Sequence, residues 1–422
     1  MVLAFKGVIL SNPLTIFLKA KKTYKLTFGI VLRKSIISIS ILFPVIISCT
    51  DPFNPSVDAE TADLFVVDGF VSATDSTAIV TLSHSRPLTS RGVFIPEKNA
   101  RVMIESSEGE SFSLQELDSG KYALQNIPVN KTASYTLRVQ TASGATYTSE
   151  PVTVRSTPPI DSLTYGLSND KLGLSIRLNT HDDTGNSRYY SWEYSETYEY
   201  RSYFNSGFTF ENNQPEQRTA EEAVNICYLT VPSTRILLGT SAALAEDVIQ
   251  GEELTIIPKY SPKISVRYSI LIKQRVLSAK EYDYLYQLRQ VTERLGTFFD
   301  PLPGEVIGNI SRDGGSSEMI LGNFSAAEVY EERFFINKGE LPLDLQASPI
   351  TKGCQLEFTC DIRIPRTTLQ PPCVFLEDIS DNAMIIEAAY DLMGKPYAYS
   401  FARDYCGDCR TQGGITTRPD FW

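Results

Sequence analysis

The chain has 422 residues, with 39 lysines and arginines, 50 aspartates and glutamates, two histidines and seven cysteines. Seven of the basic residues and none of the acidic ones lie in residues 1–48, so the remainder holds 32 basic against 50 acidic residues, a net charge of −18. That balance argues against nucleic acid and anionic lipid headgroups as partners, which need a basic surface, and suits a solvated acidic surface or neutral and cationic ligands.

The leader comes first. Arg33-Lys34 precede an apolar run from Ile36 to Ile47, which closes with Ser48 and then Cys49, the first cysteine of the chain. Basic, apolar, small and then cysteine is the order of a bacterial lipoprotein signal, in which the cysteine is acylated and becomes the mature N-terminus. The uncharged stretch Ser35–Thr50 has 16 residues, short of the roughly 20 that a membrane-spanning helix needs. Residues 1–48 are therefore expected to be a signal peptide, Cys49 a lipid anchor, and all that follows to lie outside the cytoplasm. The apolar patch Val8–Leu18 and the cluster Lys19, Lys21, Lys22 and Lys25 exceed what such a signal requires. They read as an over-extended start, with initiation near Ile30–Leu32.

Residues 49–61, with Pro52 and Pro55, form a tether, and residues 62–157 then read as an antiparallel, Ig-like β-sandwich. Short β-type runs follow one another: Leu64–Val67 into Gly69–Val71, Ala78–Leu82, Ala100–Ile104, Ser111–Leu114, Tyr122–Leu124, Tyr135–Val139 and Tyr147–Val154. Several alternate apolar and polar, and Glu108-Gly109, Asp118-Ser119-Gly120 and Ser143-Gly144 supply turns between them, the pattern of a sandwich. Ser156-Thr157-Pro158-Pro159 marks a boundary, because paired prolines favour an extended connector.

Residues 158–422 are expected to form a larger β-rich domain with one or two packed helices, so the fold class is mostly β. Leu172, Leu174, Ile176 and Leu178 alternate along one strand, and Tyr189–Tyr203 is nearly pure strand material. Within that row, Tyr189, Tyr190, Trp192 and Tyr194 could form a ligand face for sugars or peptides, although aromatic cross-strand packing is the commoner use. Ser278-Ala279-Lys280-Glu281 is a capping box with Leu277 and Tyr282 placed to staple the helix entry. Tyr284, Leu285, Leu288, Val291, Thr292 and Leu295 then predict one buried stripe, ended by Gly296. A shorter helix is expected over Ser241–Ile249.

Setting Cys49 aside, Cys227, Cys354, Cys360, Cys373, Cys406 and Cys409 remain. An even set in an extracytoplasmic chain reads as disulfides, and six cysteines allow 15 pairings. An all-thiolate zinc site is the competitor, since His84 and His181 lie far from the cysteines in sequence. Cys406-Gly407-Asp408-Cys409 has redox spacing, but Arg410 to Gly414 after it is loop chemistry and not a helix that would lower a thiol pKa. Asp182–Asn186 and Arg312–Gly315 offer oxygen ligands without the closing glutamate of a calcium loop, and read as hairpin turns. Neither histidine stands in a nucleophile motif and no phosphate-binding glycine loop occurs. No metal, cofactor or enzymatic activity is expected. The ending Arg418 to Trp422 reads as a buried C-terminal plug.

These motifs together resemble one family. They are Asp51-Pro52-Phe53 after Cys49; Val66-Val67-Asp68-Gly69-Phe70-Val71; Pro158-Pro159-Ile160-Asp161-Ser162-Leu163; and Gly296 to Pro303 with Val306-Ile307-Gly308-Asn309-Ile310. Leu321-Gly322-Asn323-Phe324, Cys406 to Arg410, Gly413-Gly414 and Pro419-Asp420-Phe421-Trp422 complete the set. The ordered set is similar to the Bacteroidota lipoproteins grouped as domain of unknown function 4249. The resemblance implies a lipid-anchored outer-membrane protein, compatible with surface exposure and commonly encoded beside a TonB-dependent receptor. No catalytic residues carry over. The function expected is a non-enzymatic accessory or substrate-capture partner of a TonB-dependent outer-membrane barrel. The alternative is a surface adhesin or cell-envelope structural protein that binds glycan or matrix.

Overall fold

Strand-forming alternation becomes burial along the first sandwich: in β1 (Phe65–Ser72), Phe65, Val67 and Val71 are buried while Val66 and Phe70 are only half-buried. The computed structural model describes residues 64–85, 95–211, 214–293, 306–315, 318–346, 353–365, 367–368 and 373–422. The expected signal peptide, Cys49 and the tether lie outside the described residues. After β1 come β2 (Thr77–His84), β3 (Ile95–Pro96), β4 (Arg101–Ser106), β5 (Ser111–Ser113) and β6 (Gln115–Asp118). β7 (Lys121–Gln125), β8 (Ser134–Gln140), β9 (Thr146–Ser149) and β10 (Val152–Thr153) complete the N-terminal run. The three expected glycine turns fall between β4 and β5, β6 and β7, and β8 and β9.

The second half continues with β11 (Ile160–Leu167), β12 (Gly173–His181), the 13-residue β13 (Tyr189–Arg201), β14 (Phe208–Glu211) and β15 (Gln214–Gln217). β16 (Ile226–Pro232), β17 (Leu237–Thr240), β18 (Val248–Pro258) and β19 (Arg267–Val276) lead into α1 (Ala279–Glu293). Then follow β20 (Ile310–Arg312), β21 (Ile320–Ala327), β22 (Tyr330–Asn337), β23 (Glu357–Phe358), β24 (Ala383–Tyr390), β25 (Pro396–Arg403) and the four-residue α2 (Asp404–Gly407). Strands dominate, as the alternating patterns require.

The first sandwich does not stop at the paired prolines. Its sheets run β21-β1-β2-β7-β6 with β3 on β2, and β20-β9-β8-β4-β5 with β10 on β8. β21 lies parallel to β1, Phe65 facing Ile320 through Ser72 facing Ala327, and β20 is antiparallel to β9. Ile310, Ile320, Phe324 and Ala326 thereby enter the same core as Val67, Val80, Ile104 and Leu137. The described residues fall in one compact unit. Two strands from beyond residue 300 close the first sandwich because each covers a sheet edge that would otherwise be open.

The second core lies between sheet β11-β12-β18 and sheet β16-β13-β19-β22, with β17 on β13. Leu174, Ile176 and Leu178 of β12 are fully buried there, while Leu172 precedes the strand and is exposed. The even-numbered residues of β13 point inward: Tyr190, Trp192, Tyr194, Tyr198 and Tyr200 are all buried. Among them Glu196 is buried too, accepting from the Tyr268 hydroxyl at 2.9 Å and paired with Lys263, which compensates its charge. Tyr189 is half-buried against Tyr282 of α1, ring centroids 5.0 Å apart. The aromatic row is therefore core and helix contact, and Tyr190, Trp192 and Tyr194 offer no open ligand face.

Two local expectations are corrected. Ser241–Asp247 is a turn and Val248 opens β18 in place of the short helix expected there. The reason is local side-chain bonding that competes with helix: the Ser241 hydroxyl donates to Asp247, and Arg188 Nη1 donates to the Leu244 carbonyl at 3.3 Å. In α1 the Ser278 hydroxyl caps the Glu281 amide at 3.1 Å, but the Glu281 carboxylate turns to Arg275 at 2.7 Å and does not close a capping box. Of the expected stripe only Tyr284 is buried; Leu285, Leu288 and Val291 are half-buried and Thr292 is exposed. Leu295 and Gly296 lie outside the described residues. Ser278→Ala is expected to cost about 1 kcal/mol in urea unfolding, the usual loss for an N-cap hydroxyl.

A three-stranded sheet, β23-β25-β24, carries the C-terminal region. The chain end does not plug the interior. Trp422 is half-buried on the outer face of the second sandwich, edge-on to Tyr228 and Phe335, and Phe421 is exposed beneath the Arg333 guanidinium.

Candidate functional site at the seam of the sandwiches

Four of the motifs that carry the family resemblance, Val66–Val71, Pro158–Leu163, Val306–Ile310 and Leu321–Phe324, meet where the sandwiches join. Gly69 of β1 has no side chain, and a Cβ there would come within 2.9 Å of the Phe324 ring that fills the first core. A Cβ on Gly308 would fall on the Gly322 carbonyl, so only glycine lets residues 307–309 lie along the edge of β21. Asn309 then replaces a missing strand: its Nδ2 donates to the Phe324 carbonyl at 2.7 Å and its Oδ1 accepts from the Phe324 amide at 2.8 Å. On the other side of the seam, Gln274 of β19 accepts from Trp192 Nε1 at 2.8 Å. Its own Nε2 donates to the Pro158 carbonyl at 2.9 Å and to the Thr180 hydroxyl at 3.0 Å. The paired-proline connector is thus bonded into the second core.

The Arg275–Glu281 pair is largely buried at this seam, while Asp68 and Glu193 beside it are exposed. Arg275 Nη1 donates to Glu281 Oε1 at 2.7 Å and to the Ser325 hydroxyl at 3.2 Å, and its guanidinium lies 5.0 Å from the Phe70 ring centre. Asp68, with Glu193, lines a crevice of about 280 Å³ together with Arg275 and Phe70. Loss of hydration in that crevice raises the Asp68 carboxyl pKa above the ordinary value. Arg275 opposes the rise, and Glu193 and Glu281 add to it. The buried Tyr284 phenol is pushed up to about 12 by burial and secondarily by Asp68. Glu281 and Ser325 also line a second, larger crevice of about 590 Å³, bounded by β10, the start of α1, residues 307–309 and β21.

The other sequence-derived candidates are structural. His181 is exposed, with Nδ1 2.7 Å from Asp161, whose hydrogen bond holds the imidazole pKa above its usual value. His84 sits 3.1 Å from Glu97 in the other sandwich, so the two histidines form no common site. Asp182 Oδ1 accepts from the Thr184 amide at 2.9 Å and Gly185 has φ 67°, which makes a turn and not an ion cage. Arg312–Gly315 likewise turns through Gly314 and Gly315, both at positive φ. Among the described residues no group of three or more His, Cys, Asp or Glu could hold a metal, and no helix is long and apolar enough to cross a membrane.

All six cysteines pair: Cys227 with Cys409, Cys354 with Cys406, and Cys360 with Cys373. The two cysteines of the CxxC thus have different partners, and Cys409 fastens the C-terminal region to β16. Thiol titration of the unfolded, unreduced protein should find no free sulfhydryl among these six; two reactive thiols per chain would refute the pairing.

One surface stands apart. The β24–β25 turn exposes Leu392 completely and Met393 at 82%, beside half-exposed Ile362 and Ile364. Asp391 organises that tip, its Oδ1 accepting from the Met393 and Lys395 amides at 2.9 Å each, while Arg363 pairs with Asp391 at 3.3 Å. Adjacent apolar side chains held out on a rigid turn are the composition of a contact surface.

Fold and seam define a mostly β protein of two strand-sharing sandwiches, stapled by disulfides at its C-terminal end. The chain belongs to the family described as Domain of unknown function (DUF4249), whose model matches residues 50–333. No curated protein matches the chain. Among solved structures, a segment of two fibronectin type III domains from chicken tenascin is similar at 14% identity, over 51% of this chain and 93% of that one, with a TM-score of 0.14. So low a score carries no argument.

Proposed function

We propose that this protein is a lipid-anchored, non-enzymatic accessory of a TonB-dependent outer-membrane barrel, which captures substrate for it or steadies its outer face. The observation that carries this reading is positional: the family region begins at residue 50, the residue after Cys49, so the leader pattern ends where the family body starts. Three disulfides favour an oxidising, extracytoplasmic setting. The apolar tip at Leu392 and Met393 suits a protein partner better than open water.

The test is a mild-detergent pull-down of the tagged full chain from its native outer membrane, read by mass spectrometry. A stoichiometric TonB-dependent barrel is expected with the wild type. It should be lost from a Leu392→Glu/Met393→Glu variant whose melting temperature is unchanged. Recovery of the lipoprotein alone would sink the transporter reading and leave the adhesin or structural role, to be pursued with glycan and matrix binding screens.

A further inference from the structure

We infer that the second sandwich holds a calcium ion between Asp182 and Asp247, at the end where β12 and β18 meet. His181 pairs with Val248 at the end of that ladder, and the Asp182 amide donates to the Asp247 carbonyl at 3.0 Å, which extends the ladder by one pair. Residues directly opposite across an antiparallel pair place their side chains on one face about 5 Å apart, where like charges repel. The Asp182–Asn186 turn is no ion cage by itself, but its first residue meets a second carboxylate from the facing strand.

The Asp247 carboxylate supplies an independent observation. Asp247 is only 3% exposed. Its Oδ1 accepts from the Tyr190 hydroxyl at 3.1 Å and from the Ser241 hydroxyl, whereas its Oδ2 is enclosed and has no hydrogen-bond partner. An ionised carboxylate oxygen can only accept, so a buried one needs a donor or a cation. The neighbouring cations are committed elsewhere. Arg188 donates through Nε to the Gly185 carbonyl at 3.1 Å and through Nη1 to the Leu244 carbonyl at 3.3 Å. His181 pairs with Asp161 and Asp183. A buried water would satisfy Oδ2 yet leave two opposed carboxylates uncompensated, and a cation answers both.

The donor set narrows the ion. Around the two carboxylates stand the buried hydroxyls of Ser187, Tyr190 and Ser241. Burial raises the Tyr190 phenol pKa, and the Asp247 and Asp182 charges add to the rise, so both carboxylates act on the same hydroxyl. Ser187 hydrogen-bonds Asp182. Carboxylate and hydroxyl oxygens without thiolate or imidazole select a hard cation, and two carboxylates neutralise a divalent one. Calcium accepts an irregular oxygen shell completed by water, whereas magnesium demands a near-ideal octahedron. The ion ties the Asp182–Asn186 turn to the Ser241–Asp247 turn at one end of the second core. This site needs no transporter, and its failure would leave the accessory reading untouched.

The test is isothermal titration of calcium chloride into the chelator-stripped full chain in mild detergent, with thermal unfolding run alongside. One calcium per chain is expected, with a Kd of about 1 mM or tighter, together with a melting temperature that calcium raises and equimolar magnesium raises less. Asp182→Asn should weaken binding at least about tenfold, because ligand charge sets calcium affinity. Asp247→Asn should abolish binding, and the half-buried Asp182 carries the test if this buried variant fails to fold. Asp313→Asn, in the other acidic hairpin turn, should bind as the wild type does. Absence of saturable binding up to about 10 mM calcium would overturn the inference. So would unchanged affinity in Asp182→Asn, or an equal effect of magnesium, which would mark diffuse screening of the acidic surface.

Discussion

Arg275→Met is expected to destabilise the protein by about 3 kcal/mol at neutral pH, and by less as the pH falls towards the ordinary carboxylate range. Arg275 is the cation at the seam bonded to Glu281, and their side chains are 19% and 6% exposed. Methionine replaces most of its bulk but leaves the Glu281 carboxylate buried without its partner, and removal of one member of such a pair costs about 3–5 kcal/mol. The pH dependence comes from Asp68, whose carboxyl pKa is already raised by its crevice and is restrained by Arg275. A carboxyl with a raised folded pKa takes up a proton more readily in the folded state. Stability therefore rises as pH falls from above the folded pKa towards the ordinary carboxylate value. Without Arg275 the folded pKa climbs further, so the variant recovers more on acidification than the wild type. Denaturant unfolding at pH 8 and pH 5 reads the difference. A loss below about 0.5 kcal/mol, or one independent of pH, would show that the seam does not depend on this ion pair.

Breaking the Cys227–Cys409 disulfide, as Cys227→Ser/Cys409→Ser, is expected to cost up to about 5 kcal/mol. The bond spans 182 residues, and the chain-entropy model assigns a loop of that size about 5 kcal/mol, with native disulfides commonly delivering 2–5. The bond also holds a local network. The Tyr200 hydroxyl donates to the Cys409 carbonyl at 2.6 Å and accepts from the Gly414 amide at 3.1 Å, and Tyr228 exchanges backbone hydrogen bonds with Ile415. Loss of the bond should therefore speed amide exchange from Asp404 to the C-terminus before it affects the first sandwich. The Cys360–Cys373 bond, spanning 13 residues, should cost less, about 3 kcal/mol on the same model. Equal losses for the two bonds would rule out chain entropy as the main source of their stabilisation.

Both predictions concern side chains that join segments far apart in sequence, and the same division governs what could be read in advance. Periodicity in the sequence alone determined most of the strands between Leu64 and Val154, the inward row of β12 and the aromatic strand β13, because alternation at period two is a local property of the chain. The Ser278 cap and the extended connector at Pro158-Pro159 were equally legible, since cap hydroxyls and proline rings act within a few residues. The short helix over Ser241–Ile249 was misread because the Ser241–Asp247 and Arg188 bonds outweigh local propensity there. The seam carried no such mark: Arg275 shares the outward row of β19 with Arg267 and the exposed Lys273, so alternation alone would leave it in solvent. Its partners could not be named.

Only the tertiary structure decided that Glu281 pairs with Arg275, that β20 and β21 close the first sandwich, and how six cysteines divide into three bonds. Each of these depends on which surfaces come together over tens to hundreds of residues. Local pattern carries no information about that choice, and the burial of whole faces settles it.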